Sequence, residues 1–459
     1  MVLHVFVCLL VVCLLLSLVL LWRHDWPNLR PSSPRGGAKR SSLPRLLKPR
    51  TPDDCPACRL GSPPSLGGGA VSEPVRPWCE VKSRRGAPKR IDTDGFACPN
   101  QQCRYFSITD ARVHALVGDG KHGRAEQIQT FRCQACRTTF SARRDTPLYR
   151  LKTPSHQIAV VLSALAEGLD PSAAERVFGF RQATITNWLT RAGKHAQTLH
   201  EHCFRNLQLP HLQLDELRTR LRNAKQVLWL WLAIDPLTKI LPVLQLGPRT
   251  QNAAHRVIHS LLQVLASGCL PVFTSDGLNM YFYALTAHFG HWRGVGRRGL
   301  KALRWQVAAG LIYEQVKKNY RRRKLVRVTP VMRLGTEADL KGALQRLGLS
   351  GRLNTAFIER ANLTVRHGVA ALARRTWATS QQSPHLLAHL EWWRAYYHFV
   401  RPHTSLRVRL VQPRERGGKR LVQRYRHRTP AMAAGKTNRR WAAGEVLCSS
   451  LPPVPCSAC

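Results

Sequence analysis

The sequence predicts an α/β protein in which a mixed-sheet domain follows a small cysteine-knuckled module and a helical module. Three observations predict it. Residues 212–276 alternate apolar strand-like runs with one segment of helical spacing, residues 155–195 carry helical periodicity alone, and residues 98–136 hold two pairs of close cysteines. At 459 residues there is room for two or three domains, and 44% hydrophobic content suffices for real cores, so a disordered basic chain is excluded. The formal net charge of +45, from 71 Lys and Arg against 26 Asp and Glu, implies a polyanionic partner, with nucleic acid the leading class.

The first segment, residues 1–25, contains VLHVFVCLLVVCLLLSLVLLW (2–22), apolar except for His4 and Ser17. As a helix it would cross roughly 30 Å of hydrocarbon. No Lys or Arg precedes the run and no small-residue cleavage site follows, which disfavours a signal peptide. Arg23, Arg30, Arg35, Lys39 and Arg40 come next and would hold the remainder on the cytoplasmic side. Two readings stay open: a single-pass membrane anchor, or a spurious N-terminal extension translated from an upstream start codon. Fourteen cysteines without framework spacing, including three Cys-x-x-Cys pairs, point to metal ligation in a reducing compartment and away from secreted disulfides. The expected location is cytoplasmic and DNA-associated. Residues 26–90 are rich in Pro, Gly, Ser and Arg and read as a disordered basic linker, with Cys55, Cys58 and Cys79 as free thiols.

Residues 91–150 form the first module. Cys98 and Cys103 in CPNQQC and Cys133 and Cys136 in CQAC can close a tetrahedral Zn²⁺ shell on two knuckles, a zinc ribbon in which the metal replaces a large core. The four-residue gap in the first pair keeps His114 and His122 open as substitute ligands.

Residues 151–200 read as SHQIAVVLSALAEGL, a break at Asp170-Pro171, SAAERVFGF, and QATITNWLTRAGKHA. Short helices joined through Gly179-Phe180 fit a helix-turn-helix, whose last helix would offer Gln182, Thr184, Asn187 and Arg191 to DNA over an apolar face of Ile185, Trp188 and Leu189. A plain small helical bundle is the alternative.

Residues 205–412 hold the α/β domain: HLQLDEL, VLWLWLAID and KILPVLQLG as strands, NAAHRVIHSLLQVLAS as a helix, then LPVFTSD as a buried strand. Three acids sit in three settings: Asp215 after alternating leucines, Asp276 at the end of an apolar run before glycine, and Glu359 in the amphipathic stretch NTAFIERANLTVR. Two strand ends and a helix can converge on one point. Mg²⁺ or Mn²⁺ prefers oxygen ligands, and two such ions about 3.5–4 Å apart activate the attacking oxygen and stabilise the leaving oxygen of a phosphodiester. Asp215, Asp276 and Glu359 are therefore the candidate catalytic residues and magnesium ligands. Glu216 is the nearest rival to Asp215, and Asp235, before proline, suits a turn. Asn362 and Arg366 share a helical face with Glu359. Lys317, Lys318, Arg321, Arg322 and Arg323 in KKNYRRRK, and Arg374 and Arg375 beside Trp377, suit a DNA backbone, with solvated charge runs as the ordinary alternative. Trp392, Trp393, Tyr396 and Tyr397 read as helix core. Residues 413–459 read as a basic irregular tail.

These acids, with WLWLAIDPLTK between the first two, IERANLTVR followed by AALARRTWA, RPHTSLR beyond, and the ribbon exit RTTFSARRDTPLYRLK, resemble bacterial insertion-sequence transposases of the DDE class, nearest the insertion-sequence-1 type. The resemblance implies an RNase H-like mixed-sheet catalytic domain preceded by a zinc ribbon and a helix-turn-helix. It further implies recognition of double-stranded DNA, both element terminal repeats and target, by a homo-oligomer that cuts and transfers strands with two Mg²⁺ (or Mn²⁺) ions and a structural Zn²⁺. A catalytically inactive DNA-binding repressor derived from such a transposase is the alternative.

Overall fold

The computed structural model describes residues 75–81, 91–222, 227–294, 303–322, 324–348, 355–374, 376–378, 380, 382–416 and 419–449. The apolar segment 2–22, most of the linker, Arg323, Arg375 and the last cysteines, Cys456 and Cys459, lie outside the described residues. The membrane anchor is corrected here: among the described residues no helix is long and apolar enough to cross a membrane.

A short helix α1 (Trp78–Val81) leads into a three-stranded antiparallel sheet, β1 (Leu116–His122), β2 (Ile128–Cys133) and β3 (Thr139–Ser141), in the order β1-β2-β3. Its small core gathers Tyr105, Leu116, Phe131 and Phe140 around the cysteines. Trp78 stands edge-on to Tyr105 at 5.8 Å and donates its indole N–H to Gln134 at 2.7 Å, closing one side.

Three helices follow: α2 (Ser155–Ala166), α3 (Pro171–Phe178) and α4 (Gln182–Cys203). The break expected at Asp170-Pro171 is a helix start, because the Asp170 carboxylate accepts from the Ser172 and Ala173 amides and Pro171 opens α3. Gly179 ends α3 at φ 73°, a left-handed cap that costs glycine little. Helix α4 runs on into the main core, and a Cβ at Gly193 would lie 2.2 Å from the Ala388 carbonyl oxygen. Glycine is thus what lets α4 approach the later helix α9 (Ser383–Ala395).

The large sheet comprises β4 (His211–Thr219), β5 (Leu228–Ile234), β6 (Leu244–Gly247), β7 (Val272–Ser275), β10 (Tyr313–Arg321) and β11 (Lys324–Leu334), in the order β11-β10-β7-β4-β5-β6. The pairs β4–β7 and β7–β10 are parallel and the others antiparallel, so the sheet is mixed and the protein is α/β. Parallel pairing needs crossovers, supplied by α5 (Gln251–Val264) between β6 and β7 and by α6 (Asn279–His288) with the hairpin β8 (Gly290–Gly294) and β9 (Leu303–Val307) between β7 and β10. All four residues of β7 are buried, as a central strand covered on both faces requires. Alternation sorts the side chains: Leu212 and Leu214 of β4 pack with α5 and α6, while Leu217, Leu230 and Leu232 pack with α8 (Ala356–Gly368) and α9. Between β11 and α8 stands α7 (Glu337–Arg346), whose Leu340 and Leu344 cover Val272 and Ile312.

Helix α9 continues as a π-helical turn, Tyr396–Val400, and Trp392, Trp393, Tyr396 and Tyr397 are buried, as core residues should be. The expected irregular tail is corrected. Strand β12 (His403–Arg416) pairs antiparallel with β13 (Lys419–Arg428), and α10 (Pro430–Ala433) and α11 (Ala443–Cys448) bury Ala431, Val446 and Leu447 in the main core. The hairpin's described side chains are mostly exposed on both faces, so the alternation of Leu406, Val408 and Leu410 with Arg407 and Arg409 marks no continuous buried face.

Candidate metal centres

Two clusters have the composition of metal sites. The first is built by two turns. Residue 103 folds back with its amide on the Asn100 carbonyl at 3.0 Å, and Ser107 takes φ 61° with its amide on the Cys98 carbonyl. In the second turn Arg137 takes φ 63° and donates to the Cys133 carbonyl at 2.8 Å. These turns bring one sulfur each from Cys98, Cys103, Cys133 and Cys136 within 4.8 Å of one another, despite the longer first spacing. The cluster could bind a metal such as zinc. Burial, followed by the neighbouring thiols, raises Cys103 above the usual thiol range. At Cys136 burial pushes the same way, but hydrogen bonds with Thr138 and Cys98 outweigh it and bring the thiol down to about 6. His114 is not a substitute ligand: one ring nitrogen accepts from the Leu116 amide at 3.2 Å and the other faces the Thr93 carbonyl at 3.0 Å. His122 is exposed and meets Thr130.

The second cluster lies at the end of the central strands. In the parallel β4–β7 pair Leu214 stands opposite Ser275, so Asp215 and Asp276 occupy the next step together. Asp215, Glu216 and Asp276 each place an oxygen within 4.8 Å of the other two. Consecutive strand residues face opposite sides, and here Asp215 turns toward α8 while Glu216 turns toward α6. Asn362 of α8 donates its amide N–H to Asp215 at 2.7 Å. Glu216 accepts from Arg249 Nε at 2.9 Å and from the Tyr281 hydroxyl at 3.3 Å. Asp276, just past the strand, borders both sides, held by the Leu278 amide on its carboxylate at 3.1 Å.

Charge accounting explains what such an arrangement does. Burial, then the Asp276 charge, raises Asp215 to about 6, and the same two causes raise Glu216 to about 7. Carboxylates at about 4.8 Å repel by about 3–4 kcal/mol at an effective dielectric of about 20. One charge-assisted hydrogen bond returns only about 1.5–3 kcal/mol. Arg249 already sets one guanidinium against Glu216, and the three oxygens leave a place that suits a further cation.

Glu359 does not join this group. Its carboxylate pairs with Lys318 Nζ and accepts from the Thr355 hydroxyl at 2.7 Å, one helical turn from Asn362. The sequence pattern located the helix face but not this pairing, which comes from the neighbouring strand β10. Arg366 lies further along α8, close enough to Asp215 and Arg374 to feel both charges. Lys317 runs beside Gly277, its Cγ 3.6 Å from where a Cβ would sit. Arg321 and Arg322 are exposed at the β10–β11 turn, and Arg374 is exposed beyond α8. On α4, Gln182, Thr184 and Asn187 are exposed. Arg191 is half-buried and donates to the Tyr149 carbonyl at 2.6 Å, tying α4 to the segment that follows the cysteine module. Asp235 holds a turn, accepting from the Leu237 and Thr238 amides. Arg249 and Tyr281 escaped the sequence reading because they meet Glu216 only through the fold.

No protein-family model matches the chain, and no curated protein matches it.

Proposed function

We propose that the chain is a metal-dependent DNA strand-transfer enzyme, a transposase of the RNase H-like DDE class. The single observation that carries this reading is the meeting of Asp215 and Asp276 at the ends of adjacent parallel strands. Three antiparallel strands, β4 to β6, a helix and then β7 beside β4 support an RNase H-like domain. The fit to hard cations rests on the donor set, since three carboxylates crowded at one rim offer only oxygen. Asp215 and Asp276 would hold Mg²⁺ or Mn²⁺, with Glu216 on the α6 side. When bound, such ions activate the attacking oxygen and offset charge on the leaving oxygen.

The chain's own residues do the rest. Asn362 fixes the Asp215 carboxylate, and Arg366 beside it offers a guanidinium to phosphate. Lys318 keeps Glu359 next to the site, from which release of that pair would free the acid. Lys317, Arg321 and Arg322 present charge to a DNA backbone, and Gln182, Thr184 and Asn187 form the exposed start of the helix that would enter a major groove. The four thiols suit Zn²⁺ in a structural, closed site, making residues 91–150 a zinc ribbon. Handling two element ends together calls for a homo-oligomer.

One observation favours a second reading. With Glu359 engaged by Lys318, the chain would be a DNA-binding repressor that has lost catalysis. A single experiment separates the two: binding and cleavage of candidate element ends by wild type and Asp276→Asn, with and without Mg²⁺. A transposase cuts only with Mg²⁺ and loses cutting, not binding, in the variant. A repressor binds equally in all cases and never cuts.

A further inference from the structure

We propose a third metal site, for a borderline transition-metal ion such as Zn²⁺, made by His255 and His259 of α5 and His288 of α6. His255 and His259 are four residues apart and so share one helix face, the spacing at which two imidazoles can grip one ion. His288, in the last turn of α6, puts its ring 5.5 Å from that of His255 and 5.7 Å from that of His259. Two imidazoles bound tetrahedrally at about 2.0–2.1 Å from one ion would have ring centres about 5 Å apart. The two spacings from His288 are close to that value. His259 is exposed, so it can turn to bring its nitrogen to the other two, which do not yet converge as closely as the thiols and carboxylates do.

The surroundings favour ligation. His288 hydrogen-bonds the His255 backbone carbonyl through one ring nitrogen, which orients the ring and leaves the other nitrogen as the donor atom. Gln251 and Gln263 pair their side-chain amides with Nε2 of His255 and His259, at 3.2 and 3.1 Å, contacts that an ion at either nitrogen would replace. Burial and the two neighbouring imidazoles disfavour protonation of His288, and neutral imidazole is the ligating form. Nitrogen donors separate this site from the other two by softness, since the thiols select a softer ion environment and the carboxylates a harder one. An ion here would cross-link α5 to α6, and α6 begins directly after the Asp276 turn.

The test is calorimetric titration of the full chain with Zn²⁺, its thiol cluster already loaded and Mg²⁺ in excess, for wild type, His259→Gln and His288→Gln. The expected result is one equivalent of Zn²⁺ in the wild type that is weakened about tenfold or more in each variant, with thiol-bound zinc unchanged. Identical stoichiometry and affinity in all three proteins would overturn the proposal. Because His259 is exposed, its variant decides the matter even if the change at His288 disturbs folding.

Discussion

The amide of Asn362 donates to the carboxylate of Asp215 at 2.7 Å, joining the central strand β4 to helix α8 at the rim where the acids meet. The Asn362 amide oxygen is buried with no protein partner, so this side chain is held in place by one contact. A residue that orients a metal-binding carboxylate changes affinity without touching the ion. Replacing it with leucine should weaken Mn²⁺ binding about 10–100-fold while leaving the melting curve of the metal-free chain nearly unchanged, as read by Mn²⁺ titration. Unaltered affinity would make the contact purely structural.

The raised acids set a pH dependence whose sign follows from proton counting. Asp215 at about 6 and Glu216 at about 7 hold protons in the folded chain that the unfolded chain has already released. Their contribution to stability is therefore present at acid pH and lost as pH rises from about 4 through about 7, in the absence of divalent ions. Mg²⁺ should then raise the melting temperature at pH 7.5 and barely at pH 5. Thermal melts of wild type against Asp276→Asn should show a weaker pH dependence in the variant, since it removes the charge that adds to burial in raising both neighbours. Equal Mg²⁺ effects at the two pH values would contradict this.

The sheet and its two aspartates were readable because alternation and an apolar run ending in Asp-Gly are local signals, and parallel pairing then carries Asp215 and Asp276 together. Glu216 was visible only as a rival: its holders, Arg249 and Tyr281, arrive from the loop before α5 and from α6. The Tyr149 carbonyl that Arg191 meets was not legible, because periodicity gives a helix face but not what lies under it. Glu359 kept its helix and lost its expected neighbours to Lys318, a strand residue 41 positions away. The β12–β13 hairpin was hidden because the alternation in LRVRL is short, leads to no continuous buried face and is interrupted by register shifts along the pair.

Metal removal should act on residues 91–150 first. Of the eight buried residues in its core, Cys98, Cys103 and Cys133 are three, leaving Tyr105, Ala115, Leu116, Phe131 and Phe140, too few to hold about sixty residues. Cys133→Ser or a strong chelator should open residues 91–150 to limited proteolysis while α5 and the sheet stay protected. Protection of the ribbon without metal would show that the thiols are merely packed.

The most direct measurement of the central claim is the number of Mn²⁺ ions bound by the full chain, counted from the paramagnetic resonance of free Mn²⁺, for wild type, Asp215→Asn and Asp276→Asn. The account predicts saturable binding by the wild type and its loss in both variants. Equal binding by all three proteins, or none by the wild type, would contradict it.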